Sequence, residues 1–321
     1  MLEVNKVNLG SSLILIDKNI TDIMKFVACI MVAMSHYSGY ALSNGVSSSI
    51  IYRLFAAMGG YLGVAIFFFL SGYGLMKSNM CHPLRITDFL RKRLIRTWGP
   101  AILVSFIWLV IAFLCDRSLL CNQRYLEGII WWFNDEVMWF VRVILILYIF
   151  FLLYWILIII LPSSYNYKLF LIFVLGGLAY WIVRITGIGS SLSVPLFFIG
   201  MVVADSPIFL KRICSSIYCI SFLSVLFLCI IWLCRDNNYL IHGCINYFCV
   251  GLVIVFFSNF NLTLPNIPKW IGNCSYDVYL THYKVHLLFL YFFSKDFLWM
   301  FILGTLIATI LFYRIRRLLG L

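Results

Sequence analysis

The chain has 321 residues, 64% of them hydrophobic and only 11% charged, with a formal net charge of +12. That apolar density excludes an ordinary soluble domain and points to a polytopic membrane protein. In such a chain the placement of positive charge sets topology, so the surplus is not read as a nucleic-acid surface.

Residues 1–20 are mixed polar, and Leu13–Ile16 is too short for a signal-peptide core, so no cleaved leader is expected. Spans of about the required ~20 residues can then be drawn ten times. They fall at 23–42, 54–76, 98–115, 137–161, 167–183, 191–204, 217–234, 243–258, 270–293 and 297–313. The sixth is short and begins near Pro195, which predicts a broken, tilted or half-inserted segment. A Pro-Ser-Ser turn at 162–164 separates the fourth and fifth. The fold class is therefore all-α, a polytopic integral membrane bundle of about ten helices. No hydrophilic stretch is long enough for a second domain, so 1–321 reads as one membrane domain.

Most Lys and Arg fall in alternate loops, with Lys6, Lys18, Lys77, the 85–96 run and Arg314, Arg316 and Arg317 on one side. By the positive-inside rule both termini are expected to be cytoplasmic, 1–20 as a short segment and 314–321 as a basic tail. The eleven cysteines show no CxxC pair or zinc spacing. Cys115 and Cys121 flank one loop and are placed to pair if it is extracytoplasmic.

The first span, DIMKFVACIMVAMSH, carries three polar groups on one stripe. At about 100° per residue, Lys25 and His36 lie about 20° apart and Asp22 within about 40° of His36. Polar groups at depth are costly and usually face a cavity, so this helix is the first candidate for an active site. At 1.5 Å per residue, His36 lies roughly 20 Å from the inner boundary, His282 roughly 18 Å and Lys284 roughly 21 Å. Arg142, entering from outside, reaches roughly 22 Å in a core about 30 Å thick. Two imidazoles, an ammonium and a guanidinium thus share one level. A neutral imidazole near pH 7 can take a proton from a hydroxyl, which makes His36 the candidate general base. His282 and His286 share a face with Ser275 and Tyr279; two His at i, i+4 also suit a metal, but HExxH is missing and no metal is expected.

The segment RITDFLRKRLIRTW (85–98) reads as an amphipathic cytoplasmic helix, with Thr87 as N-cap and Asp88 in its first turn. Its guanidinium groups suit either headgroup anchoring or a polyanion, because forked donors bind phosphates. In GGYLGVAIFFFLSGYG (59–74), Gly59, Gly60, Gly63, Gly72 and Gly74 permit close helix approach. Ser71 lacks the GxSxG elbow of a nucleophile.

Together these stretches resemble the acyltransferase-3 family of membrane O-acyltransferases, many of which acetylate cell-surface polysaccharides. The first span looks like the family signature in which a basic residue precedes an essential histidine by eleven positions. The glycine-rich span, RKRLIRTWGP, MWFVRVILILY and IGNCSYDVYLTH are similar to later family motifs. The chain departs from them at Lys25, where Arg is commoner, and at Ala65, where many members carry an acid. The resemblance implies acetyl-CoA as acyl donor, held by Arg91, Arg93 and Arg96. It implies a sugar hydroxyl of a glycan or lipid-linked saccharide as acceptor, approaching past Trp131, Trp132 and Trp139. His36 is then the base, with Asp22, Lys25, Arg142 and His282 as the other catalytic candidates and Lys284 a further cation at that depth. The rival reading is a transporter or flippase for a lipid-linked or acidic sugar, which also wants polar groups at mid-depth. It predicts paired broken helices, and the sixth span has no clear partner.

Overall fold

The computed structural model describes residues 16–81, 85–115, 138–161, 164–206, 224, 238–259, 269–293 and 297–321. Among these there is no strand, and helices follow one another along the chain. They are α1 (Lys18–Ser43), α2 (Ile50–Leu54), α3 (Gly60–Cys81), α4 (Ile86–Arg93), α5 (Gly99–Cys115), α6 (Trp139–Ile160), α7 (Tyr165–Thr186), α8 (Val194–Asp205), α9 (Asn238–Asn259), α10 (Lys269–Phe292) and α11 (Leu298–Leu318). Among the described residues six helical stretches are long and apolar enough to cross a membrane: Lys18–Ser43, Ile50–Met80, Ile86–Cys115, Trp139–Ile160, Tyr165–Thr186 and Leu298–Leu318. The expected span at 217–234, the Cys115–Cys121 pairing, and Trp131 and Trp132 lie outside the described residues.

Two helices are longer than their apolar runs because π turns splice in the flanks. The turn Phe55–Gly59 joins α2 to α3, and Leu94–Trp98 joins α4 to α5. The amphipathic segment is therefore the first part of a 30-residue helix rather than a separate one. Its start corrects the expected cap. Arg85, in extended conformation and without a side-chain bond, holds the N-cap position, and Thr87 lies inside the helix; Asp88 does fall in the first turn. Ser164 caps α7 by accepting the Tyr167 N–H. The short sixth span is a 3-10 turn, Ser191–Ser193, leading into the twelve-residue α8 with a proline in its first turn.

Glycines set how closely the central helices approach. A Cβ at Gly59, Gly60 or Gly63 would strike the Met31 carbonyl, Ser35 Oγ or the Ala28 carbonyl of α1. From Gly60 to Gly63 the contact moves back along α1 from Ser35 to Ala28, so α1 and α3 are antiparallel. At the crossing of α3 and α8, the Phe197 carbonyl occupies the space that a Cβ at Gly72 would need, and the Phe69 carbonyl that of a Cβ at Gly200. Gly74 meets nothing within 4 Å and has no such role. Around this crossing Phe68, Phe69, Leu147, Phe151, Tyr154 and Phe197 form the core. Outward faces stay apolar, with Phe173 72% and Trp299 74% exposed, as suits surfaces whose solvent is lipid.

The long helix α10 lies against α1, α5 and α11 and carries Asp277, His282, Lys284 and His286, all buried. Buried polar groups need partners in lipid. Arg316 of α11 donates to Asp277 at 2.9 Å, the Thr281 and Thr309 hydroxyls lie 3.1 Å apart, and the Tyr276 hydroxyl donates to the Thr97 carbonyl at 2.6 Å. That last bond reaches into the second π turn. It ties α10 to the basic end of the bundle, where α1 starts, α5 starts and α11 finishes.

Candidate active site

At the other end of the bundle from the 85–96 basic run lies a cavity of about 300 Å³. Val32, Ser35 and His36 of α1 form one wall, and Ala56, Gly60, Tyr61 and Val64 a second. Trp139 starts α6, Ser190 precedes and Ser193 ends the 3-10 turn before α8, and Tyr279 of α10 completes the lining. The interrupted sixth span thus brings hydroxyls to a place where a continuous helix would present a smooth apolar face. Opposite His36, the first π turn and the glycine pair let α3 come close, and Ser35 satisfies its hydroxyl by donating to the Val32 carbonyl at 2.7 Å.

His36 packs its ring against α10. The His282 centroid is 5.4 Å away and that of Tyr283 is 4.9 Å away. His282 is fully buried, and its Nδ1 lies 3.1 Å from the Val278 carbonyl oxygen. A carbonyl only accepts, so Nδ1 carries the proton and Nε2 is left as a bare acceptor. That Nε2 has no hydrogen-bond partner among the described residues. The pair therefore has one imidazole at the cavity wall and a second behind it with its tautomer fixed by the helix backbone.

The other sequence candidates are placed differently. Asp22 and Lys25 lie on the expected stripe, but eleven residues, about 16 Å of helix, separate Lys25 from His36. Neither lines the cavity. The Asp22 carboxylate rests against Gly272 of α10, and the charges of Asp22, Arg93 and Lys18 act on the Lys25 ammonium. Arg93 is the member of the 85–96 basic run that turns inward, over the rings of Tyr148 at 5.3 Å and Phe89 at 5.8 Å. Arg91 and Arg96 are exposed. Arg142 is half-buried one turn along α6 from Trp139 and does not line the cavity.

Lys284 shares its depth with His282 but, two residues on, projects from the opposite side of α10. It lines a separate apolar cavity of about 250 Å³ between α5, α10 and α11, with its Nζ 5.7 Å from the Trp108 ring. His286 packs among Tyr40, Tyr283, Phe297 and Phe301 rather than against the first cavity. Among the described residues no group of three or more His, Cys, Asp or Glu could hold a metal. Sequence reasoning missed Tyr61, Ser190 and Ser193. The run SSLS ahead of Pro195 was the available signal for the two serines.

A multi-pass helical membrane protein with an imidazole on the wall of a largely uncharged cavity, and guanidinium groups at the opposite end, has the layout of a membrane-embedded transferase. Residues 19–316 match the family profile described as an acyltransferase domain, and the chain belongs to the acyltransferase-3 family. It is a membrane acyltransferase. No individual curated protein and no solved structure matches it.

Proposed function

We propose that the protein moves an acetyl or other short acyl group from cytoplasmic acyl-CoA to a hydroxyl of a cell-surface or lipid-linked sugar, with His36 as general base. The observation that carries this reading is the position of His36, on the wall of a cavity lined by hydroxyls and aromatic rings and backed by His282. Family membership weighs against the exporter alternative.

In this reading Arg91, Arg93 and Arg96 hold the phosphates of acetyl-CoA, and the donor's thin arm reaches along the α1 stripe. The acceptor hydroxyl enters the cavity, and His36 takes its proton as the oxygen attacks the thioester carbonyl. The tetrahedral intermediate collapses by breaking the C–S bond. The departing thiolate then receives a proton from the imidazolium, so the base is restored and charge balances. Lys25 is several turns away, Lys284 faces another cavity and Arg142 does not line this one, so none of the three cations is assigned to the oxyanion. Asp22 and Lys25 act at the donor end of the stripe. One membrane domain, with both termini cytoplasmic, performs the whole reaction.

His36→Ala in the native host tests this, with O-acetyl groups on surface glycans read by NMR. The expected result is loss of acetylation with the protein still made and inserted. Acetylation that persists at the wild-type level overturns the role of His36.

A further inference from the structure

The wall formed by Tyr61 has a support behind it that the proposed reaction does not use. The ring of His242, on α9, stacks on Tyr61 with centroids 4.6 Å apart and planes within 15°. Tyr61 also lines the cavity, so one side of its ring is fixed by His242 and another faces the reacting space. The Trp139 indole is held in a similar way. The backbone of Gly189 lies so close to it that any Cβ there would enter the ring. Two aromatic surfaces are thus each packed by a neighbour that contributes no group of its own to the cavity.

Between these rings stand the hydroxyls of Ser35, Ser190 and Ser193, with the last two oxygens 3.3 Å apart. Among the described residues no Asp, Glu, Lys or Arg lines the space. Aromatic rings suit the C–H face of a pyranose, and neutral hydroxyls suit its equatorial oxygens. A carboxylated sugar would be taken out of water here with no cation among the described residues facing it, which is costly. The volume of about 300 Å³ sits at the small end of ligand sites, enough for one ring and the incoming acyl group.

We propose that the Tyr61–His242 stack is the platform on which a single neutral pyranose ring of the acceptor lies, with Trp139 as a second aromatic wall. This rests on the acyl-transfer reading given above and names the acceptor class of that site. Tyr61 and Trp139 touch the sugar, whereas His242 is a positioning residue acting through Tyr61. The role of His242 is its ring face, so a phenyl ring serves as well.

The full-length protein in proteoliposomes is supplied with radiolabelled acetyl-CoA and with oligosaccharides released from the host envelope at graded concentrations. Tyr61→Ala is expected to raise the acceptor KM about tenfold while leaving the acetyl-CoA KM within about twofold, as loss of an aromatic contact implies. His242→Ala gives a smaller rise in the same constant; His242→Phe and Tyr61→Phe restore it. NMR of the product places the acetyl group on a neutral ring. The platform is overturned if Tyr61→Ala leaves the acceptor KM unchanged, if His242→Phe behaves as His242→Ala, or if the acetyl group sits on an acidic sugar. In those cases transfer by the unaltered protein still upholds the acyltransferase reading. No transfer by the unaltered protein overturns that reading, and the platform with it.

Discussion

His282→Phe separates catalysis from stability at the imidazole pair. Phenylalanine keeps the ring that packs 5.7 Å from Tyr279 and 5.4 Å from His36, and removes both nitrogens. When His36 takes the acceptor's proton it becomes a cation, and its second N–H needs an acceptor. In the proposed reaction that acceptor is the bare Nε2 of His282 in the adjoining ring. A hydrogen bond to a charged group contributes about 1.5–3 kcal/mol, which converts to a fall in kcat of roughly 10- to 150-fold. Stability is expected to change by less than about 1 kcal/mol, because the substitution also removes a buried nitrogen that has no partner. Both KM values should hold, since neither substrate touches His282. The assay pairs single-turnover and steady-state transfer in proteoliposomes with thermal unfolding in detergent. An unchanged kcat refutes the reasoning, and so does a loss of stability that accounts for the loss of activity.

Three further outcomes are expected. Arg93→Gln with Arg96→Gln should raise the acetyl-CoA KM about tenfold or more, as removal of charged hydrogen bonds implies, with the acceptor KM unchanged; lost membrane insertion alone would favour an anchoring role. Gly72→Ala or Gly200→Ala should destabilise the protein by about 1–3 kcal/mol through overpacking, seen as a lower unfolding temperature in detergent. Lys284→Met should leave kcat and both KM values within about twofold of the unaltered protein, because that side chain lies in the other cavity.

Apolar run length made most of the helices legible, since a bilayer demands about 20 residues whatever the tertiary contacts. The His36 stripe was legible for the same reason that it is rare: a polar group inside such a run costs too much to be incidental. Helical periodicity placed His36 and His282 at one depth, but depth alone does not assign a face. Lys284 shows this, two residues from His282 and on the far side of α10. The basic run was visible as charge, whereas its inward turn at Arg93 depends on Tyr148, a long way off in the chain. Neither π turn left a mark in composition, because Phe-Ala-Ala-Met-Gly is as ready to form an α-helix. Without the first of these turns in view, Gly60 and Tyr61 were read as part of a stretch that lets helices approach closely, and Ala56 was not singled out.

That first π turn also governs how the chain tolerates a change in length. Phe55–Gly59 stores one residue more than an α-turn needs, so deleting exposed Ala57 lets the segment relax to α-helix with its flanks still facing as before. The same deletion a few positions later, within α3, swings everything on one side of it by about 100° relative to the other. Gly60 and Tyr61 would then leave the cavity while Gly72 kept its place against α8. A one-residue slack thus sits beside the proposed acceptor wall, and the rest of the helix has none.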